Sequence, residues 1–253
     1  IAVNRFKTFN LSRNDIANLF FRTSASGVDA ANLVNLVDSR IDIMGTVNAI
    51  KGQTIGGNLF FLSKEGMAIG KTGVINAGSL TVMTPTSSEM DRFMKDGADL
   101  TSVLKIDPKD EIPVNESGTI TVLGHINATD GVRLRAAQIG IGKNVTGTTL
   151  GDVAQDETVT GASIKTGVGD FSQLVNITAT DDTTAAKAGL ADSLTASRTG
   201  SGDIVVTAVN DYQANQGLLQ PFDTAKDSVV SKTVAAGVTV AQIKGGKFLP
   251  RLV

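Results

Sequence analysis

Cysteine and tryptophan are absent, and the 253 residues hold one tyrosine and one histidine. Without cysteine there is no disulfide framework and no thiol nucleophile, and a zinc site loses its usual ligands. His125 is the one imidazole. Aromatic residues make up 4% of the chain, so small and branched aliphatic side chains must fill the core, which suits flat, stacked β layers. The formal charge is −2 and the Lys and Arg residues are scattered, leaving no electrostatic footprint for nucleic acid or an anionic membrane surface. No apolar run reaches the roughly 18 residues of a membrane span, and no basic-then-apolar leader opens the chain. It begins at Ile1 rather than Met, as expected of a mature or trimmed product whose targeting peptide is gone. A cysteine-free composition also suits passage through an oxidising periplasm.

What is present is a repeat. Arg40 to Ala49 reads R-I-D-I-M-G-T-V-N-A, and Thr119 to Ala128 reads T-I-T-V-L-G-H-I-N-A. Both follow I-x-[IV]-x-G-x-[VI]-N-A, and a shorter copy, G-V-I-N-A, spans Gly73 to Ala77. Alternating apolar residues such as Ile41 and Ile43, then Val47, put one strand face inward and the other toward solvent. Gly45, Gly73 and Gly124 are read as corners that exploit positive φ, with Asn48, Asn76 and Asn127 as further candidates for left-handed backbone. Short strands between repeated corners make a coil. Gly45 and Gly73 lie 28 residues apart, within the range of about 20–45 residues per structural repeat of solenoids. Gly73 and Gly124 lie 51 apart, so one coil plus an insertion, or two shorter coils, separates them. Stacking of Asn48, Asn76 and Asn127 predicts an internal amide ladder.

The expected fold is therefore all-β, a parallel β-solenoid wound right-handed by the general crossover preference. One unit is expected over 1–253, with an N-terminal cap over 1–37 and first coils over 38–85. An insertion over 86–115 is read as a loop, hairpin or short helix, because S-S-E-M-D-R-F-M-K-D-G-A-D-L breaks the alternation. Further coils follow over 116–253, with a loop excursion at about 180–200. Strands are predicted at Asn58 to Leu62, Gly131 to Ala136, Leu174 to Ala179 and Gly202 to Val209. Short helices are predicted at Ser12 to Leu19 and Ala30 to Leu36. Asn4 to Phe9 is the natural cap for exposed strand edges, and no comparable cap precedes Val253, so a longer protein is expected.

Sharper chemistry finds little support in the residues. His125 reads as a surface histidine without convergent catalytic partners. Asp181-Asp182 and Asp110-Glu111 lack the ordered D-x-D-x-[DN]-G calcium loop. Gly140-Ile141-Gly142-Lys143 and Gly70-Lys71-Thr72 lack phosphate-loop spacing and read as corners. Of Phe60 and Phe61, one is expected in the core and the other at the surface or under the insertion. Neither metal nor cofactor is expected, and the chain is expected to be a monomer.

Asn4-Arg5-Phe6-Lys7-Thr8-Phe9 resembles the N-x-[FY]-x-x-F signature near the start of two-partner secretion domains, as in filamentous haemagglutinin and its haemolysin, leukotoxin-like and adhesin relatives. Gly57 to Thr84, G-N-L-F-F-L-S-K-E-G-M-A-I-G-K-T-G-V-I-N-A-G-S-L-T-V-M-T, is similar to a second family stretch that carries N-P-N-G. In its place stand Ser63, Lys64, Glu65 and Gly66, a tetrapeptide that also makes a β-turn and keeps the Gly. The resemblance covers Asn4 to Thr84 well and Glu111 to Gly142 loosely. It implies a right-handed parallel β-helix and no enzyme activity. It further implies export through the periplasm to the cell surface, recognition by the periplasmic domains of an outer-membrane β-barrel transporter, and nucleation of folding for a large adhesin or toxin behind it. Asn4, Phe6, Phe9, the turn Ser63 to Gly66 and Asn76 are the recognition residues implied, and a host-cell receptor is a possible partner of the full-length protein. The alternatives are a host-binding adhesin segment and a β-helix polysaccharide-degrading enzyme.

Overall fold

A computed structural model of the chain describes residues 1–21, 28–52, 54–105, 112–168, 204–214, 230–234 and 249–251. The described residues are mostly strand, and parallel sheets curl into a half-barrel. The chain runs through β1 (Ala2–Phe6), β2 (Asn10–Leu11) and β3 (Ile16–Phe20), then β4 (Asn32–Val37), β5 (Ile41–Ile43) and β6 (Thr46–Lys51). A short β7 (Thr54–Ile55) folds back antiparallel on β6. Next come β8 (Asn58–Leu62), β9 (Gly66–Ile69), β10 (Val74–Ala77) and β11 (Ser79–Met83). After two helices, α1 (Ser87–Phe93) and α2 (Thr101–Leu104), the strands resume with β12 (Thr119–Val122), β13 (His125–Ala128), β14 (Val132–Ile141) and β15 (Ser163–Lys165). β16 (Ile204–Ala214), β17 (Val230–Val234) and β18 (Leu249–Arg251) complete the described strands.

Pairing shows the order behind this succession. One sheet contains the path β1-β4-β8-β11-β14-β12-β9-β5-β2, and the other contains β15-β13-β10-β6-β3. Three consecutive strands thus make one tier, and equivalent strands of successive tiers pair in parallel register. Val47 aligns with Ile75 and Ile75 with Ile126, while Asn48, Asn76 and Asn127 occupy the next position along. The long β14 covers two positions at once, its first half pairing with β11 and its second with β12. Beyond it β16 is again parallel, whereas β17 and β18 add antiparallel.

Alternation builds the interior. Leu33, Ile41, Ile43 and Val47 of one tier stack in register on Leu59, Met67, Ile69 and Ile75 of the next, and Val37, Ala49, Phe61 and Ala77 join them in one core. The small and branched aliphatic side chains match the composition, because each layer must fit the spacing of roughly 4.8 Å between paired strands.

Two segments leave the tiers and cover their outer walls. The expected insertion takes the helical alternative: Thr86 caps α1 by accepting from the Glu89 amide, and Met90, Phe93, Leu100 and Val103 pack on Val34, Leu36, Phe60 and Leu62. Phe61 is accordingly the core ring and Phe60 the insertion-covered one. The second detour, residues 142–162, has no counterpart in the sequence reading. Leu150, Val153 and Val159 lie over Ala68 and Leu123, and the buried Asn144 amide ties the detour together by donating to the carbonyls of Thr148, Val153 and Ala154.

Both predicted short helices are strands. Ser12 to Leu19 leads into β3, and the Asp15 carboxylate accepts from the Ser12 amide in a turn rather than starting a helix. Ala30 to Leu36 mostly forms β4, which is apolar on both faces because Leu33 points to the core while Val34 and Leu36 meet the insertion. Burial of both faces erases the period-two signal. Strand Asn58 to Leu62 forms as expected, and Gly131 to Ala136 is the first half of β14. Most of Gly202 to Val209 belongs to β16, with Gly202 and Asp203 outside the described residues. The strand expected at Leu174 to Ala179, the excursion at about 180–200, and the acidic pairs Asp181-Asp182 and Asp110-Glu111 also lie outside them.

The corners work differently from the sequence expectation. Gly45, Gly73 and Gly124 are not among the positive-φ residues, and neither are the ladder asparagines. The glycines are needed for space: a Cβ on Gly73 would fall within 3.0 Å of the Ile43 carbonyl oxygen, and one on Gly124 would meet the Gly73 carbonyl in the same way. Gly45 meets the Ser12 and Asp15 carbonyls likewise. They form a column in which each backbone closes onto the tier before it.

Candidate functional site

The residues singled out by sequence fall into two separate groups. The first is a column of corners between the first and second strands of successive tiers. Phe9, buried in the first of these corners, lies edge-on to Phe6 with ring centres 5.2 Å apart, and 5.3 Å from Phe61 of a later tier. Beside them the Asn4 amide donates to the Asn35 side chain at 2.9 Å, and Asn35 donates to the Phe60 carbonyl at 3.1 Å. By the alternation of β1, Asn4 shares a face with Ala2 and Phe6 of the core, so this amide pair is an interior one.

Ser63 to Gly66 forms the equivalent corner two tiers on. The Gly66 amide donates to the Ser63 carbonyl, closing a β-turn, and Gly66 has φ +100. The Ser63 hydroxyl donates to the Ser39 carbonyl at 2.7 Å and accepts from the amides of Glu65 and Gly66. Asn115, at the end of the insertion, donates to the Lys64 carbonyl at 2.7 Å. Ser63 and Gly66 are consequently buried, Lys64 is half-buried, and only Glu65 is exposed.

Sequence reasoning missed the residues that join these corners. The Asp38 and Ser39 amides donate to the Phe6 and Lys7 carbonyls, the Arg40 amide donates to the Glu65 carboxylate at 3.1 Å, and Lys64 pairs with Asp38 at 3.9 Å. Arg40 also grips Asp42 through two bonds of 2.8 and 3.0 Å. Arg40 immediately precedes β5, and the Arg-x-Asp spacing in extended backbone places both side chains on one face, which is the available signal. The arrangement offers a polar rim of Lys7, Asp38, Lys64 and Glu65 over a locked turn.

The second group lies in the other sheet. Asn127 donates to Asn76 at 3.0 Å, Asn76 to Asn48 at 2.9 Å and Asn48 to Asn18 at 3.0 Å, a ladder one asparagine longer than expected. Asn76 is fully buried. The expected solvent-facing side of these strands is thus closed along the ladder, and continuous amide bonding is what makes such burial tolerable. Asn76 lies apart from the corner column, so Asn4 and Asn76 are not members of one folded site.

His125 is half-buried rather than at the surface, with Nδ1 2.7 Å from the Ser163 hydroxyl. Burial first, and the neighbouring Lys165 second, hold its pKa below the ordinary 6.5. The stability this neutral imidazole brings is complete above the unfolded-state value and is lost as pH falls through the folded one. His125→Gln should therefore flatten the decline of Tm between pH 7.5 and 5. An unchanged profile in the variant would assign the decline to other groups. Among the described residues no three His, Cys, Asp or Glu side chains gather in a way that would hold a metal ion.

Comparison of the chain with protein-family models, with curated proteins and with solved structures finds no match.

Proposed function

We propose that this chain is the secretion domain of a large exported adhesin or toxin of the two-partner type, with its tiers wound as a right-handed parallel β-helix. The observation that carries the reading is the corner column. It gathers Phe6, Phe9 and the Ser63 to Gly66 turn, the residues that resemble the family signatures, although they are more than fifty positions apart in sequence. Tiers that touch mainly their neighbours also support the role, since folding then propagates from one end as chain emerges and draws the remainder outward. The partner is an outer-membrane β-barrel transporter acting through its periplasmic domains, and the destination is the cell surface.

Burial of Phe9, Ser63, Gly66 and Asn76 means that a partner reading these side chains meets them before folding. Co-expression with the cognate transporter should deliver the fragment to the medium, and Phe9→Ala or Gly66→Val should reduce delivery severalfold while leaving periplasmic levels intact. Equal secretion with and without the transporter would refute the assignment.

A further inference from the structure

The tier made by β1, β2 and β3 ends the stack. Among the described residues each of these strands pairs on one side only, β1 with β4, β2 with β5 and β3 with β6. Among the described residues the outward edges of β1 and β2, and of β3 over Ile16 to Leu19, carry no strand partner, an arrangement that proteins normally cover or pair. The apolar interior is open there too. Val37, Ile43, Val47 and Ala49 are wholly buried, while their register partners Phe6, Leu11, Ala17 and Leu19 are only partly so. Ile1 and Phe20 are about half exposed, at 52% and 48%.

The end also presents directional polar groups. Donation along the Asn127-Asn76-Asn48-Asn18 ladder runs toward this end, so among the described residues the Asn18 amide N–H groups have no acceptor. Donation from Asn4 runs the opposite way, so among the described residues its side-chain oxygen has no donor. An added strand carrying a side-chain carboxylate or amide in register accepts from Asn18, and one carrying an amide donates to Asn4.

Charge selects among occupants. The first tier and its corners carry Arg5, Lys7 and Arg13 against Asp15 alone. Arg5 is engaged by Asp96 and by the carbonyls of Met94 and Lys95. Lys7 and Arg13 are exposed, and neither forms an ion pair among the described residues. A second copy meeting this end with its own would set these cations against one another, which opposes self-pairing at the edge. An acidic strand meets both the hydrogen-bonding row and the charge.

We propose that the edge of β1 to β3 accepts an extended, acidic β-strand from another polypeptide, by strand addition to the folded domain. The inference does not depend on the export reading, because it concerns the folded end and not the unfolded signal.

The 253-residue chain can be tested with two fluorescein-labelled octapeptides that alternate valine with polar residues, one bearing aspartate and asparagine, the other lysine and asparagine. The acidic peptide should bind and slow amide hydrogen exchange over residues 2–6 or over residues 16–20, the edges of two different sheets. Lys7→Glu with Arg13→Glu should weaken it about tenfold, a change of about 1.4 kcal/mol, and strengthen binding of the basic peptide. Both side chains are exposed, so the variant should keep the parent Tm. Failure of the acidic peptide to bind, equal binding of both peptides, or protection at other strands would overturn the proposal. A concentration-dependent dimer in sedimentation, broken by the charge reversal, would give the edge to a second copy and overturn it as well.

Discussion

Gly73→Ala should destabilise the chain by about 3 kcal/mol, because the added methyl has nowhere to go. The Cβ would lie within 3.0 Å of the Ile43 carbonyl and also against the Ile69 side chain. Relief requires the third-position strands to part, and that would stretch the register of β6, β10 and β13 together. Gly147→Ala is the control. Gly147 has φ +75 with open space around it, so its substitution tests backbone strain without a clash and should cost about 1 kcal/mol. Urea unfolding of both variants separates the two causes. A loss for Gly73→Ala no larger than that for Gly147→Ala would show that close approach does not govern the glycine column.

Asn76→Ala should be the more damaging of the ladder substitutions. It leaves the Asn48 side-chain oxygen without its donor and the Asn127 amide without its acceptor, both buried. Each orphaned group costs about 1–3 kcal/mol, so a loss of about 4 kcal/mol is expected. Asn127→Ala orphans one group of the ladder and should cost about half as much. The double variant should cost clearly less than the sum of the two, because the second substitution removes a group that the first had already stranded. Simple additivity in equilibrium unfolding would show that the amides do not act as a connected chain.

Much of the architecture can be read from the residues. The repeated I-x-[IV]-x-G-x-[VI]-N-A places Ile41, Ile43 and Val47 in the core and aligns Asn48, Asn76 and Asn127 across strands, as found. The reason for the glycine was misread, since a residue type permissive of positive φ is equally the type demanded by close backbone contact, and only coordinates distinguish the two. β4 was misread because both its faces are covered, one by core and one by helices nearly sixty residues later in the chain. The detour over residues 142–162 was missed because its anchor is one asparagine bonded to main-chain carbonyls, a pattern with no periodicity. The corner column was half legible: its aromatic and turn residues resemble motifs, while Asp38, Ser39 and Arg40 act through backbone amides that any residue type supplies.

The amide bond from Asn48 to Asn76 spans 28 residues and the one from Asn76 to Asn127 spans 51, yet their lengths are 2.9 and 3.0 Å. Geometry at the crossing is thus blind to how much polypeptide was used to reach it. Closing a longer excursion adds only a slowly rising entropic cost, about 0.6 kcal/mol for each doubling of length. The junction after Met83 is therefore a natural port for foreign sequence, where a cargo epitope or reporter can be spliced in place of α1 and α2, provided that Val34, Leu36, Phe60 and Leu62 keep an apolar cover.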